Sequence, residues 1–188
     1  MTIYVAFLRG INVGGHKKIS MAELRTMFES IALNQVQTYI QSGNVLFASP
    51  EDAKFLRDQI EQEIERVFSF DVTVVLRSSS ELERIISHCP FPESVRKEAE
   101  DATDVETFYV SLFLEPPPVE ALEKLQEYTS ATDEFRVQDR EVYLLVREGI
   151  RNSKLANQLS RLNIPSTARN WKTMNKLNTL AETMKLQK

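Results

Sequence analysis

Ile3-Tyr4-Val5-Ala6-Phe7-Leu8-Arg9 sets six apolar residues in succession before a charge. A strand exposed on one side alternates apolar and polar residues, whereas one covered on both faces reads as an unbroken apolar run. This stretch is therefore expected to be a central strand, followed by a loop from Gly10 to Ile19. Ser20 has Glu23 three residues on, the capping-box spacing, and Met21, Leu24, Met27, Phe28 and Ile31 then recur at helical intervals. Gln35–Gln41 and Val45–Ala48 are strand-like and flank Ser42-Gly43-Asn44, a hairpin signal. Ser49-Pro50-Glu51 opens a second helix with the stripe Phe55, Leu56, Ile60, Ile64, Val67 and Phe68, and Val72 to Leu76 reads as a fourth strand. The order is βαββαβ.

Ser78–Ser80 start a short helix carrying Leu82, Ile85 and Ile86. Between Cys89 and Glu106 the periodicity dissolves into Pro90, Pro92 and a mostly acidic stretch, which reads as a linker. Thr107–Leu114 is again mostly apolar, and Val119, Leu122, Leu125 and Tyr128 mark a helix. Glu134–Val137 and Val142–Arg147 make a hairpin turned at Asp139-Arg140. Leu155, Leu159 and Leu162 lie on a helix that stops before Pro165, because proline disfavours a helical predecessor. Pro165–Arg169 is a short strand, and Met174, Leu177, Ala181 and Met184 stripe a final helix. The second half thus repeats the first in topology, without a residue-level repeat.

The fold class expected is α/β: two interdependent ferredoxin-like βαββαβ subdomains plus a C-terminal helix. Their boundaries fall at 1–77, a helix and acidic linker at 78–106, and 107–188. A lone unit carries both helices on one face, so the two-sided apolar strands require something to cover the other.

Composition narrows the function classes. One cysteine excludes an internal disulfide framework, and two histidines exclude a His-rich metal centre. No stretch approaches the ~18 apolar residues of a membrane span. Ile3–Leu8 is too short for the core of a signal peptide and has no basic residue before it. A soluble cytoplasmic protein is expected, with no metal and no cofactor. The net charge of −4 divides into −11 over residues 1–150 and +7 over 151–188, where Arg151, Lys154, Arg161, Arg169, Lys172, Lys176, Lys185 and Lys188 face one acid, Glu182. Such asymmetry marks an anion contact, or simply a basic helix on an acidic body.

Three segments concentrate polar chemistry. Arg9-Gly10-Ile11-Asn12-Val13-Gly14-Gly15-His16-Lys17-Lys18 holds three of the five glycines between a strand and a helix. Glycines let backbone N–H groups approach an anion and lysines add charge. Gly10 and Gly15 have the Walker A separation, but His16 stands where the lysine should be and no hydroxyl follows Lys17, and G-x-G-x-x-G is absent. The plain alternative is a tight turn at Gly14 or Gly15. Ser42-Gly43-Asn44 supplies a hydroxyl and an amide at a hairpin tip, again explicable as turn chemistry. Thr167-Ala168-Arg169-Asn170-Trp171-Lys172-Thr173 carries the single tryptophan beside two cations; Asn170 suits a helix cap, and Trp171 either anchors the core or stacks on a ligand. His88-Cys89 is a poor nucleophile–base pair, since adjacent residues rarely face each other. An RNA-recognition fold shares the strand order, but the Ser42–Phe47 segment lacks that motif's basic residue and paired aromatics.

In these three segments, Leu8–Gly15, Tyr39–Val45 and Ala168–Thr173, the chain resembles the DUF1697 family of bacterial proteins of unknown function. The resemblance implies two ferredoxin-like subdomains and brings no activity, cofactor or catalytic residue with it. His88-Cys89-Pro90-Phe91 departs from a stretch that in the family usually begins Asn-Pro-Phe, and Lys172 stands where a small or amide residue is common. The functional expectation is binding of a small anionic, phosphate-bearing ligand. Its composite site comprises Arg9, Asn12, Gly14, Gly15, Lys17, Lys18, Ser42, Asn44, Arg169, Asn170, Trp171 and Thr173. The alternatives are a nucleic-acid-binding protein using the basic C-terminal region, and a protein-interaction module with no small-molecule site.

Overall fold

A computed structural model describes residues 1–187, so Lys188 lies outside the described residues. The chain divides into two compact units, one of residues 1–86 with the C-terminal residues from 175, the other of residues 87–174. Set against the boundaries expected from the sequence, the residues from 175 group with the first unit and residues 87–106 with the second.

In the first unit the opening apolar run forms β1 (Thr2–Leu8), followed by α1 (Met21–Ser30), β2 (Asn34–Tyr39), β3 (Asn44–Ser49), α2 (Ala53–Phe68), β4 (Val74–Ser78) and α3 (Ser79–Ser87). The sheet order is β2-β3-β1-β4 and its pairs are antiparallel. With β1 and β3 at the centre, this is the ferredoxin-like arrangement. On one face Tyr4, Ala6, Leu8, Val45 and Phe47 pack with Leu24 and Phe28 of α1 and Leu56, Ile60 and Ile64 of α2. Ile3, Val5 and Phe7 point the other way and are equally buried, as an unbroken apolar run demands.

Ser20 caps α1 as its spacing predicted: Glu23 N–H donates to Ser20 Oγ (3.2 Å) and Ser20 N–H to Glu23 Oε2 (3.3 Å). The second helix differs in detail. Asp52 caps it by accepting from the Lys54 and Phe55 N–H groups. Its buried line is Leu56, Ile60, Ile64, spaced four apart, so Phe55 (52% exposed) and Val67 fall off the face onto which the sequence reading had put them.

The second unit comprises α4 (Glu93–Asp101), β5 (Phe108–Phe113), α5 (Val119–Gln126), β6 (Asp133–Gln138), β7 (Glu141–Val146), α6 (Lys154–Ser160), β8 (Ser166–Asn170) and the start of α7 (Trp171–Leu186). Its order, β6-β7-β5-β8, repeats the first. Phe113, Val142, Leu144 and Val146 pack with Leu125, Leu155 and Leu159, while Phe108, Val110 and Leu112 are buried on the reverse face. The acidic stretch read as a linker contains a nine-residue helix, α4. Its apolar content is too low for a periodic signal: Ala99 is its one buried residue.

The registers reveal an equivalence that residue comparison does not. Phe7 faces Asn44 and Val5 faces Arg77; correspondingly, Leu112 faces Glu141 and Val110 faces Arg169. Arg77 and Arg169 therefore occupy the same place in the last strand of each unit. Both are buried, and each donates from Nη1 to the carbonyl of the residue before it at 2.9 Å.

Truncating Ile60 to Ala should destabilise the protein by about 2–5 kcal/mol in urea unfolding, whereas Phe55→Ala should stay within about 0.5 kcal/mol. The Ser20 bonds hold the exposed Glu23 carboxyl below its usual range. A depressed carboxyl stabilises the fold above its unfolded pKa and loses that contribution as pH falls through the folded value. Any stability advantage of the wild type over Glu23→Ala should therefore shrink on acidification, measured by urea midpoints across pH.

Candidate functional site

The glycine-rich loop is a miniature hairpin. Val13 pairs with His16, whose N–H donates to the Val13 carbonyl (3.1 Å), and Gly14 and Gly15 both sit at positive φ (60° and 80°). Two consecutive positive φ values define a type I′ turn, which glycine enters without steric cost. Asn12 ties the loop down. Its Nδ2 donates to the carbonyls of Ile19 and Gln41 (2.9 Å each), and its Oδ1 accepts from the Ile19 N–H (2.9 Å). Lys17 Nζ donates to the Asp71 carbonyl and lies 3.7 Å from the Asp71 carboxylate. The expected anion contacts Asn12, Gly14, Gly15 and Lys17 thus already have structural work. Arg9 and Lys18 make no side-chain hydrogen bond or ion pair among the described residues, and Lys18 lines a shallow depression with Gly15, Ser20, Glu23 and Gln41.

The Ser42-Gly43-Asn44 tip is equally engaged. Asn44 is fully buried and donates to the Tyr39 carbonyl and to Ser42 Oγ, both at 3.0 Å. Gly43 has φ 79°, its carbonyl accepts from the Leu8 N–H (2.9 Å), and a Cβ there would lie 2.6 Å from Ile11 Cδ1. Ladder pairing sets Asn44 opposite Phe7, so the hairpin tip and the end of β1 meet.

Arg169, Asn170, Trp171 and Thr173 belong to the second unit. Arg169 donates to Thr167 Oγ1 (2.7 Å) and the Ala168 carbonyl, and burial pushes its guanidinium down to about 10. It still carries its charge at neutral pH. Asn170 caps α7 through the Thr173 N–H (2.8 Å), the role its position suggested. Trp171 is half-buried, edge-on to Phe108 with centroids 5.2 Å apart. The His88 ring lies 2.9 Å from Ser87 Oγ, while the Cys89 thiol points at the Phe91 carbonyl (3.7 Å) and is pushed up by burial, away from a reactive thiolate.

A cleft of about 270 Å³ opens beside Trp171, between α4, the start of β5 and the start of α7. Phe108 and Trp171 line it. The Arg96 guanidinium stands 4.7 Å from the indole centroid and 5.5 Å from that of Phe108, within cation–π range. Its Nε donates to the Phe91 carbonyl (3.3 Å), while its terminal nitrogens have no hydrogen-bond partner among the described residues. Lys172 reaches Glu106 at 3.3 Å and Lys97 reaches Glu93 at 3.2 Å. Sequence reading passed over Arg96, because what distinguishes it is the ring against which it packs, and that ring lies 75 residues away.

What the fold defines is an α/β protein of two four-stranded antiparallel sheets, each in ferredoxin-like order, with a C-terminal helix. The chain belongs to the DUF1697 family, proteins of unknown function, whose model matches residues 1–143. The segment from Ala168 to Thr173 lies beyond that span. The solved structure of a conserved bacterial protein from Streptococcus pneumoniae is similar, with a TM-score of 0.74 and 24% identity over 96% of this chain and 98% of that one. That likeness shows the fold. A comparison with curated proteins finds no match. No helix among the described residues is long and apolar enough to cross a membrane.

Gly43→Ala should lower stability by about 1–3 kcal/mol, combining positive-φ strain with the clash on Ile11. Gly10→Ala meets nothing within 4 Å and carries the strain alone, so its loss in urea unfolding should be the smaller.

Proposed function

We propose that this protein binds a small anionic ligand in the cleft beside Trp171, with Arg96 as the anion's partner. The observation that carries the reading is the Arg96 guanidinium, half-buried and within cation–π range of two rings, with its terminal N–H groups unused. A guanidinium fixed in this way offers a planar fork to a carboxylate or phosphate without first losing rotamer freedom. Lys172 supplies a second cation at the rim, and its exposed pair with Glu106 is weak enough to exchange for a ligand. The reading keeps the Trp171 segment of the expected composite site and adds Arg96 to it. A cytoplasmic setting fits a lone, half-buried thiol.

The nucleic-acid alternative draws less support. Of the basic C-terminal residues, Arg169 is buried, Lys172 pairs with Glu106, and Lys185 pairs with Glu182 (2.6 Å). Those three add nothing to a free phosphate-binding stripe, which leaves, among the described residues, only the exposed Arg151, Lys154, Arg161 and Lys176 to form one.

A thermal-shift titration with inorganic phosphate, pyrophosphate and simple carboxylates at constant ionic strength tests the proposal. At one hundred times its dissociation constant, a ligand should add roughly 2.7 kcal/mol to wild-type stability. Arg96→Ala should abolish the gain and Lys18→Ala should leave it. An unchanged wild-type melting temperature, or an equal gain in Arg96→Ala, would overturn it.

A further inference from the structure

We infer that the ligand of this cleft is a compact zwitterion, of the class of a free α-amino acid with an apolar side chain. The inference rests on the anion-site reading above and adds a second point of recognition, Glu100. Six charged side chains line the cleft, three of each sign. Four of them are matched within the cleft: Glu93 with Lys97 at 3.2 Å, and Glu106 with Lys172 at 3.3 Å. The remaining two, Arg96 and Glu100, make no ion pair with any described residue. They lie four residues apart on α4, hence on one face of the helix, where Cβ atoms are separated by roughly 5–6 Å.

A guanidinium and a carboxylate that both line the cleft from one face of α4, neither in an ion pair, select a ligand carrying both opposite charges close together. A carboxylate on the Arg96 fork and an ammonium on Glu100 satisfy both, leaving the balance of the cleft unchanged. A phosphate dianion would engage Arg96 while facing the carboxylates of Glu93, Glu100 and Glu106, which disfavours it. An amine without a carboxylate would leave Arg96 unused. Phe108 and Trp171 then receive the apolar side chain, and about 270 Å³ suits a molecule of amino-acid size.

Trp171 is the only tryptophan, so the intrinsic fluorescence of the full-length protein reports on this cleft directly. The probes are L-leucine, L-phenylalanine, N-acetyl-L-phenylalanine (no ammonium), phenethylamine (no carboxylate) and inorganic phosphate. The two amino acids should perturb the emission saturably, with the truncated analogues and phosphate at least about tenfold weaker, since a charge-assisted contact is lost in each. Glu100→Gln should weaken L-phenylalanine about tenfold while leaving N-acetyl-L-phenylalanine as in wild type, which also shows that the variant folds. Arg96→Ala should weaken both. If phosphate or N-acetyl-L-phenylalanine binds wild type as tightly as the amino acids, the zwitterion inference fails and the anion site stands. If no probe perturbs Trp171, both fail.

Discussion

The central strands β1 and β5 are buried on both sides of their sheets, and that burial removes the usual code for register. In a half-exposed strand, polar residues face water and a one-residue slip is punished at once. Ile3 to Leu8 carry no such alternation, because either face would accept them. What breaks the degeneracy is polar: Asn44 set opposite Phe7 and Arg77 opposite Val5, with Glu141 and Arg169 at the matching places in the second unit. A slip of one would thrust a guanidinium among the leucines and isoleucines beneath the helices. Each buried arginine thereby acts as a registration pin, a use for buried polar groups that outweighs their modest net contribution to stability.

Much of the scaffold was legible because its determinants are local. The two-sided apolar run announced a central strand, Ser20 with Glu23 announced a helix start, and the glycine pairs announced turns. The βαββαβ order followed. The buried face of α2 was read less well, since Phe55 and Val67 are apolar without being on it. Helix α4 was missed because it packs through Ala99 and the cation of Arg96, neither of which raises an apolar periodicity.

The candidate site was legible only in part, for a related reason. Residue type suggested that the glycine loop and the Ser42-Gly43-Asn44 tip were rich in anion chemistry, yet their amides turn out to hold the backbone together. Asn12 alone makes three bonds, two that close its loop on Ile19 and one that fastens it to the hairpin at Gln41. An asparagine that folds a loop and one that grips a phosphate look identical in sequence. What separates them is whether the hydrogen-bonding groups are already engaged, and that is a property of the folded state. The same accounting exposes Arg96 and Glu100, which keep donors and acceptors in hand.

In both units the last strand runs into the next helix with no loop. Ser78 ends β4 and, through its bonds with Glu81, starts α3; Asn170 ends β8 and starts α7. One residue closes a ladder and caps a helix at once. These junctions have no slack, so an inserted residue must be absorbed either by the ladder, shifting the buried arginine to the wrong face, or by the helix, stripping its cap. Lineages of this fold should therefore vary in length almost anywhere in preference to these two seams, where evolution can exchange letters but cannot add one.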